Sequence, residues 1–106
     1  PDAIFASSDE LAFGVIKAAR AEGIDIPGRL AVTGFSDSPM CELVTPELTS
    51  VEQPAHRLGM VAARLLFDLI EDEQLADHVP QQVVLQPKLK IRRSCGNEKY
   101  IYELFE

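Results

Sequence analysis

Only two cysteines and two histidines occur in 106 residues, and 10 Lys and Arg are outnumbered by 17 Asp and Glu. These shortages exclude several classes of protein. Cys41 and Cys95 stand far apart with no Cys-x-x-Cys spacing, so neither a zinc site nor a dithiol redox site is expected, and reduced thiols point to the cytoplasm. A net charge of -7 repels a phosphate backbone and an anionic lipid surface, so this chain is expected to bind neither DNA nor a membrane by itself. No apolar run approaches the roughly 18 residues that a bilayer span needs, and no charged-then-apolar leader is present. Neither Gly-x-Gly-x-x-Gly nor a Walker loop occurs, so no cofactor is expected. The chain opens on Pro1 without an initiator Met, as a processed product or a piece of a longer chain would.

What is present is a core-forming chain. With 46% hydrophobic residues it has the size of one domain, or part of one, and can bury roughly 65% of its unfolded surface. Residues 3–6, Ala-Ile-Phe-Ala, form a short unbroken apolar run, the pattern of a strand buried on both faces of a parallel sheet. Ser7 with Glu10 fits a capping box, so a helix is expected to start there. Along it Leu11, Val15 and Ala18 make one stripe and Ala12, Ile16 and Ala19 an adjacent one, and Gly23 is a natural stop. Residues 30–35 read as the next strand, which completes a βαβ unit and an α/β fold class built on a parallel sheet.

That second strand ends abruptly in Gly34-Phe35-Ser36-Asp37-Ser38, a loop where Gly allows a sharp turn and short polar side chains can face a solute beyond the carboxyl ends of parallel strands. Residues 39–44 hold at most one helical turn, and residues 48–52 form a further strand that reads as a crossover between layers. The clearest helix is 56–70, where Leu58, Val61, Ala62, Leu65, Leu66, Leu69 and Ile70 recur at spacings of three and four and predict a core-facing stripe. An acidic connection follows. Residues 82–85 and 89–93 read as two strand segments broken at Pro87. In the tail 97–106, Tyr100, Ile101, Leu104 and Phe105 would line one side of a short helix that must dock on something to be stable.

One inconsistency is informative. The strands at 3–6 and 30–35 look buried on both faces, yet the segment between them supplies one helix for one face. The chain is therefore not expected to be a self-sufficient domain.

Catalytic readings meet simpler competitors. Gly34 to Ser38 approaches a Gly-x-Ser-x-Gly nucleophile elbow, but the fifth position is Ser and no motif places a partner His. His56 at a helix start and His78 in the acidic loop fit surface or capping groups. Asp9 and Asp37 both follow strands and could pair as carboxylates or hold a cation, but no third acidic ligand stands at metal spacing; caps and turns are the simpler use. No enzyme, and no catalytic or metal-binding residue, is expected.

An ordered set of motifs goes further. Pro-Asp-Ala-Ile-Phe-Ala-Ser-Ser-Asp-Glu-Leu-Ala-Phe-Gly at 1–14 is followed by Ile26-Pro27, Val32-Thr33-Gly34-Phe35-Ser36-Asp37, and Thr45-Pro46-x-Leu48-Thr49-Ser50-Val51-x-Gln53-Pro54. Leu58-Gly59 and Ile91-Arg92-Arg93-Ser94 complete it. In this order and at these distances, residues 1–96 resemble the carboxy-terminal part of the LacI/GalR family of bacterial transcription regulators. The resemblance implies part of a two-lobed periplasmic-binding-protein-like type I fold, with a small effector, a sugar by preference, in the cleft between lobes. Residues 1–48 would end the second lobe, 49–55 cross between lobes, 56–96 return to the first, and 97–106 form a tail outside the match. DNA would be read through an amino-terminal domain that this chain lacks. A sugar-binding protein of a transport system shares the fold and is the alternative.

The same resemblance implies site residues. Ser8, Ser36, Asp37 and Ala55 fall at effector-facing positions. Family members often carry Asp directly after the Gly-aromatic pair, where this chain has Ser36 with Asp37 one place later. Phe13, Ile16, Lys17, Leu43 and Val44 resemble positions that pair subunits in a homodimer, with intramolecular packing as the competing use of Ile16 and Val44.

Overall fold

The computed structural model describes residues 1–77 and 79–97. His78 and the expected helix carrying Tyr100, Ile101, Leu104 and Phe105 lie outside the described residues. The described residues divide into two compact units, Pro1–Gln53 with residues 88–97, and Pro54–Pro87.

In the first unit, strand β1 (Ala3–Phe5), helix α1 (Asp9–Ala21) and strand β2 (Ala31–Thr33) form the expected βαβ unit, with Ile4 in register with Val32 in a parallel pair. The period of two sorts the strand residues onto opposite faces. Ile4, Ala6 and Val32 meet Ala12 and Ile16 of α1 in the core, whereas Phe5 on the opposite face is 66% exposed. On that opposite face, among the described residues, Ala3 and Phe5 are exposed and Ala31 and Thr33 half-buried. On α1 the inward stripe is Ala12, Ile16 and Ala19, while Leu11 points outward.

The helix does not start where the capping box placed it. Ser8, not Ser7, is the N-cap, accepting from the Leu11 amide, and Asp9 is the first helical residue. An N-cap of this kind stabilises a helix by about 1 kcal/mol. The far end matches expectation in detail. Gly23, at φ 70, closes a Schellman motif in which the Ile24 amide donates to the Ala19 carbonyl and the Gly23 amide to that of Arg20.

After a 3-10 turn at Pro39–Glu42, strand β3 (Ser50–Glu52) pairs antiparallel with β4 (Lys88–Lys90), Val51 opposite Leu89. Thr33 and Thr49 form a parallel bridge that ties β2 to the run entering β3. Ser94, fully buried, fastens this junction: its hydroxyl accepts from the Thr49 amide and donates to the Val32 carbonyl. No strand forms at 82–85, where Val83 and Val84 are exposed; an apolar β-branched run alone does not make a strand without a neighbour to pair with.

The second unit is built on helix α2 (Ala55–Glu71). Its periodicity predicts a core-facing stripe, but α2 has no buried residue, and Leu58, Leu66 and Ile70 are each at least half exposed. The amphipathic pattern is there, with Val61, Leu65 and Leu69 half-buried, but among the described residues none of the stripe is fully covered. No described helix is long and apolar enough to cross a membrane.

Candidate functional site

The polar loop after β2 lies beyond the carboxyl ends of β1 and β2, and its shape comes from hydrogen bonds rather than from glycine torsion. Gly34 donates its amide to the Thr49 carbonyl and Ser36 to the Val51 carbonyl, so the loop runs beside β3 as a continuation of the sheet. The left-handed residues that turn the chain are Ser36, at φ 112, and Asp37, at φ 54. The sequence suggests that Gly34 supplies the turn. It supplies space: a Cβ there would lie 2.3 Å from Asp9 Oδ1 and 2.9 Å from Leu48 Cδ2.

Asp9 anchors the loop from below. It is 1% exposed, and its two oxygens accept from the Ser38 amide and the Ser50 hydroxyl, each at 2.6 Å. Ser50 Oγ in turn accepts from the Asp37 amide at 3.0 Å. One side chain of β3 thereby joins the start of α1 to the tip of the loop. Cys41, buried beneath, has its thiol pushed up to about 11, first by burial and then by the charge of Asp9 and a hydrogen bond to it. Such a thiol stays protonated and is not a nucleophile. Cys95 is also a free thiol, receiving a hydrogen bond from Thr49 Oγ1 at 3.1 Å.

Asp37 is held from the other side. Arg92 Nη2 forms an ion pair with Asp37 Oδ1 at 2.8 Å, an oxygen that accepts no hydrogen bond, and the Arg92 side chain is only 11% exposed. Arg92 Nη1 donates to the Leu48 carbonyl, Glu42 stands at 3.7 Å, and the Arg92 amide donates to Thr49 Oγ1. Ser36, by contrast, is exposed, and its hydroxyl accepts from the Gln53 side-chain amide at 3.1 Å.

The structure thus gathers Ser36 and Asp37 into one loop with Asp9, Ser50, Gln53 and Arg92 as its supports. Ser8 stands at the α1 N-terminus with its oxygen engaged as the cap, and Ala55 opens α2 in the other unit. Asp9 and Asp37 are not a facing carboxylate pair; they are linked through Ser50, and among the described residues no group of three potential ligands could hold a metal ion. Of the subunit-pairing candidates, Lys17 and Leu43 are exposed, Phe13 and Val44 are half-buried against the core, and Ile16 lies within it at 6% exposure. Sequence reasoning missed Arg92, Ser50 and Gln53 as site residues. All three lie within motifs that were legible, but their partners are 13 to 55 positions away, and nothing local announces such contacts.

Residues 1–95 match the model of the periplasmic binding protein-like domain. The chain is 41% identical over 92 residues to the ribose operon repressor of Halalkalibacterium halodurans, a match that covers 84% of this chain and 28% of the repressor. It is 34% identical to the lactose operon repressor of Rhizobium radiobacter, covering 85% of this chain and 81% of that sequence. A LacI family transcriptional regulator from Enterococcus faecium, solved with bound ribose, superimposes with a TM-score of 0.71 at 33% identity, over 88% of this chain and 34% of that one. The chain spans under a third of the length of the first of these relatives. With these matches and a βαβ unit ending in a polar loop, the chain belongs to the periplasmic binding protein-like family, among the LacI/GalR transcriptional regulators.

Proposed function

We propose that the chain is the effector-sensing and dimerising part of a cytoplasmic bacterial transcription regulator, not an enzyme, and that its effector is a sugar held against residues 34–38. The observation that carries this reading is the loop itself: a polar turn at the carboxyl ends of two parallel strands, stiffened from behind and open at Ser36. DNA is contacted through an amino-terminal domain outside this chain, whose own charge of -7 opposes such contact. Effector binding biases the orientation of two lobes. In this reading residues 49–55, which run through β3, cross between those lobes. A transport sugar-binding protein would share the fold; the repressor names of the reported relatives favour the regulator.

In this reading Ser36 and Asp37 are effector contacts, and Ser8 and Ala55 are further effector-facing positions. Because Arg92 occupies Oδ1, Asp37 offers an effector its Oδ2. Calorimetry of the full-length protein against pentoses, hexoses and disaccharides should find one that binds, and Asp37→Asn should weaken it roughly tenfold to a hundredfold, the typical loss for one hydrogen bond to a charged group. Unchanged affinity in Asp37→Asn, with a lowered melting temperature in Asp37→Ala, would make the residue a turn-former only.

Dimerisation is assigned to the α1 face around Phe13 and Lys17, together with Leu43, backed by Ile16 and Val44 from inside. Leu43 is 72% exposed. A two-fold interface buries such apolar side chains against their symmetry mates. In the full-length protein Phe13→Glu and, without disturbing the core, Leu43→Asp should each convert dimer to monomer in sedimentation. A dimer of unchanged affinity in both would remove this face from the interface.

A further inference from the structure

Resting on the sugar-sensing reading, we propose that Arg92 is a positioning residue for the effector site: it makes no bond to the sugar, and it fixes the direction in which Asp37 presents its carboxylate. The backbone and the side chain of Asp37 are held by different parts of the chain. Its amide donates to Ser50 Oγ at 3.0 Å, which together with φ 54 sets the backbone and leaves rotation about the side-chain bonds open. What closes that freedom is Arg92 Nη2, paired at 2.8 Å with Asp37 Oδ1, a buried oxygen that no hydrogen bond reaches. The two side chains are 11% and 16% exposed, so solvent and salt screen this pair far less than one on the surface.

Arg92 can impose a direction because it is itself fixed. Its Nη1 donates to the Leu48 carbonyl and its backbone amide to Thr49 Oγ1, each at 2.8 Å. The planar guanidinium thus spans a carbonyl and a carboxylate with one rigid fork, which a lysine ammonium, a point of charge on a flexible stem, does not reproduce. Glu42 also stands near this fork, but at 3.7 Å and with its side chain 73% exposed it is a weak competitor for the charge. A side chain already held in its binding direction loses less conformational freedom when a ligand arrives. Releasing Asp37 from Arg92 returns that loss to the binding step.

The test is a double-mutant cycle in the full-length protein, read by calorimetry with whichever of ribose, glucose, cellobiose and lactose binds it. Arg92→Lys, which keeps the charge, and Arg92→Gln are each expected to weaken that sugar about threefold to tenfold, the effect of leaving one side chain to be ordered on binding. In an Asp37→Ala background the same changes should weaken it by less than about twofold, because no side chain is left to direct. A general loosening of the fold would weaken binding equally in both backgrounds, as would a direct bond from Arg92 to the sugar, and equal losses overturn the inference. So does the absence of any loss in the two single variants. If Arg92→Gln does not fold, Arg92→Lys decides alone; if neither folds, Arg92 serves the fold and the inference falls. These results leave sugar binding itself standing, whereas failure of every one of these sugars to bind the wild-type protein removes the sugar-sensing reading and the positioning role with it.

Discussion

Replacing Gly34 with alanine is expected to destabilise the full-length protein by about 3 kcal/mol, which lowers the melting temperature of a protein of roughly 150–250 residues by about 6–12 °C. A buried methyl group is the only difference, and it would be placed 2.3 Å from Asp9 Oδ1 and 2.9 Å from Leu48 Cδ2. Leu48 is fully buried and has nowhere to go. Asp9 cannot yield either, since its oxygens hold the Ser38 amide and the Ser50 hydroxyl, and swinging them aside would strand both donors. The alanine therefore costs either overlap or two hydrogen bonds. Thermal unfolding followed by circular dichroism measures it, and a shift below about 2 °C would mean that the loop and the α1 start are not packed as described.

The same contacts explain what could and could not be read from the sequence. The βαβ unit was legible because its signals are local: an apolar run at Ala3–Phe5, a three-four periodicity along α1, and Gly23 at the one position where a left-handed residue ends the helix. The helix start was misread by one residue, although both Ser7 and Ser8 are adequate caps. What decides between them is Asp9, which takes the first helical position with its carboxyl group turned inward to donors 29 and 41 positions along the chain. Likewise Gly34 looked like a turn residue, when its role is to leave room for an aspartate that no periodicity places beside it. The α2 stripe was read correctly as amphipathic and wrongly as buried, because a hydrophobic period reports which side seeks cover and not what supplies it. Arg92 sits in a legible motif, but its pairing with Asp37 depends on the return of the chain after α2.

Asp9→Ala should be as damaging as the glycine change, and for the complementary reason. Removing the carboxyl group leaves the Ser38 amide and the Ser50 hydroxyl without acceptors in a region where Ser50 is fully buried. Stripping a partner from each buried donor costs about 1–3 kcal/mol, so about 2–6 kcal/mol is expected for the pair. Asparagine divides the loss. Its one oxygen can still accept from the Ser38 amide, which has no alternative role, and its Nδ2 can donate to Ser50 Oγ if that hydroxyl turns its proton away. That rotation is opposed, because the buried Ser50 proton then loses the acceptor that Asp9 Oδ1 provides. Asp9→Asn should therefore fall between wild type and Asp9→Ala in melting temperature. It should also weaken effector binding, since Ser50 is the link that sets the Asp37 backbone. Denaturant unfolding gives the stabilities and calorimetry the affinity, both in the full-length protein. If Asp9→Ala costs less than about 1 kcal/mol, the acceptor role is unimportant and another contact holds the loop. If stability falls in the expected order while effector affinity stays constant in Asp9→Asn, Asp9 supports the fold alone, and the Ser50 link to Asp37 does not shape the binding loop.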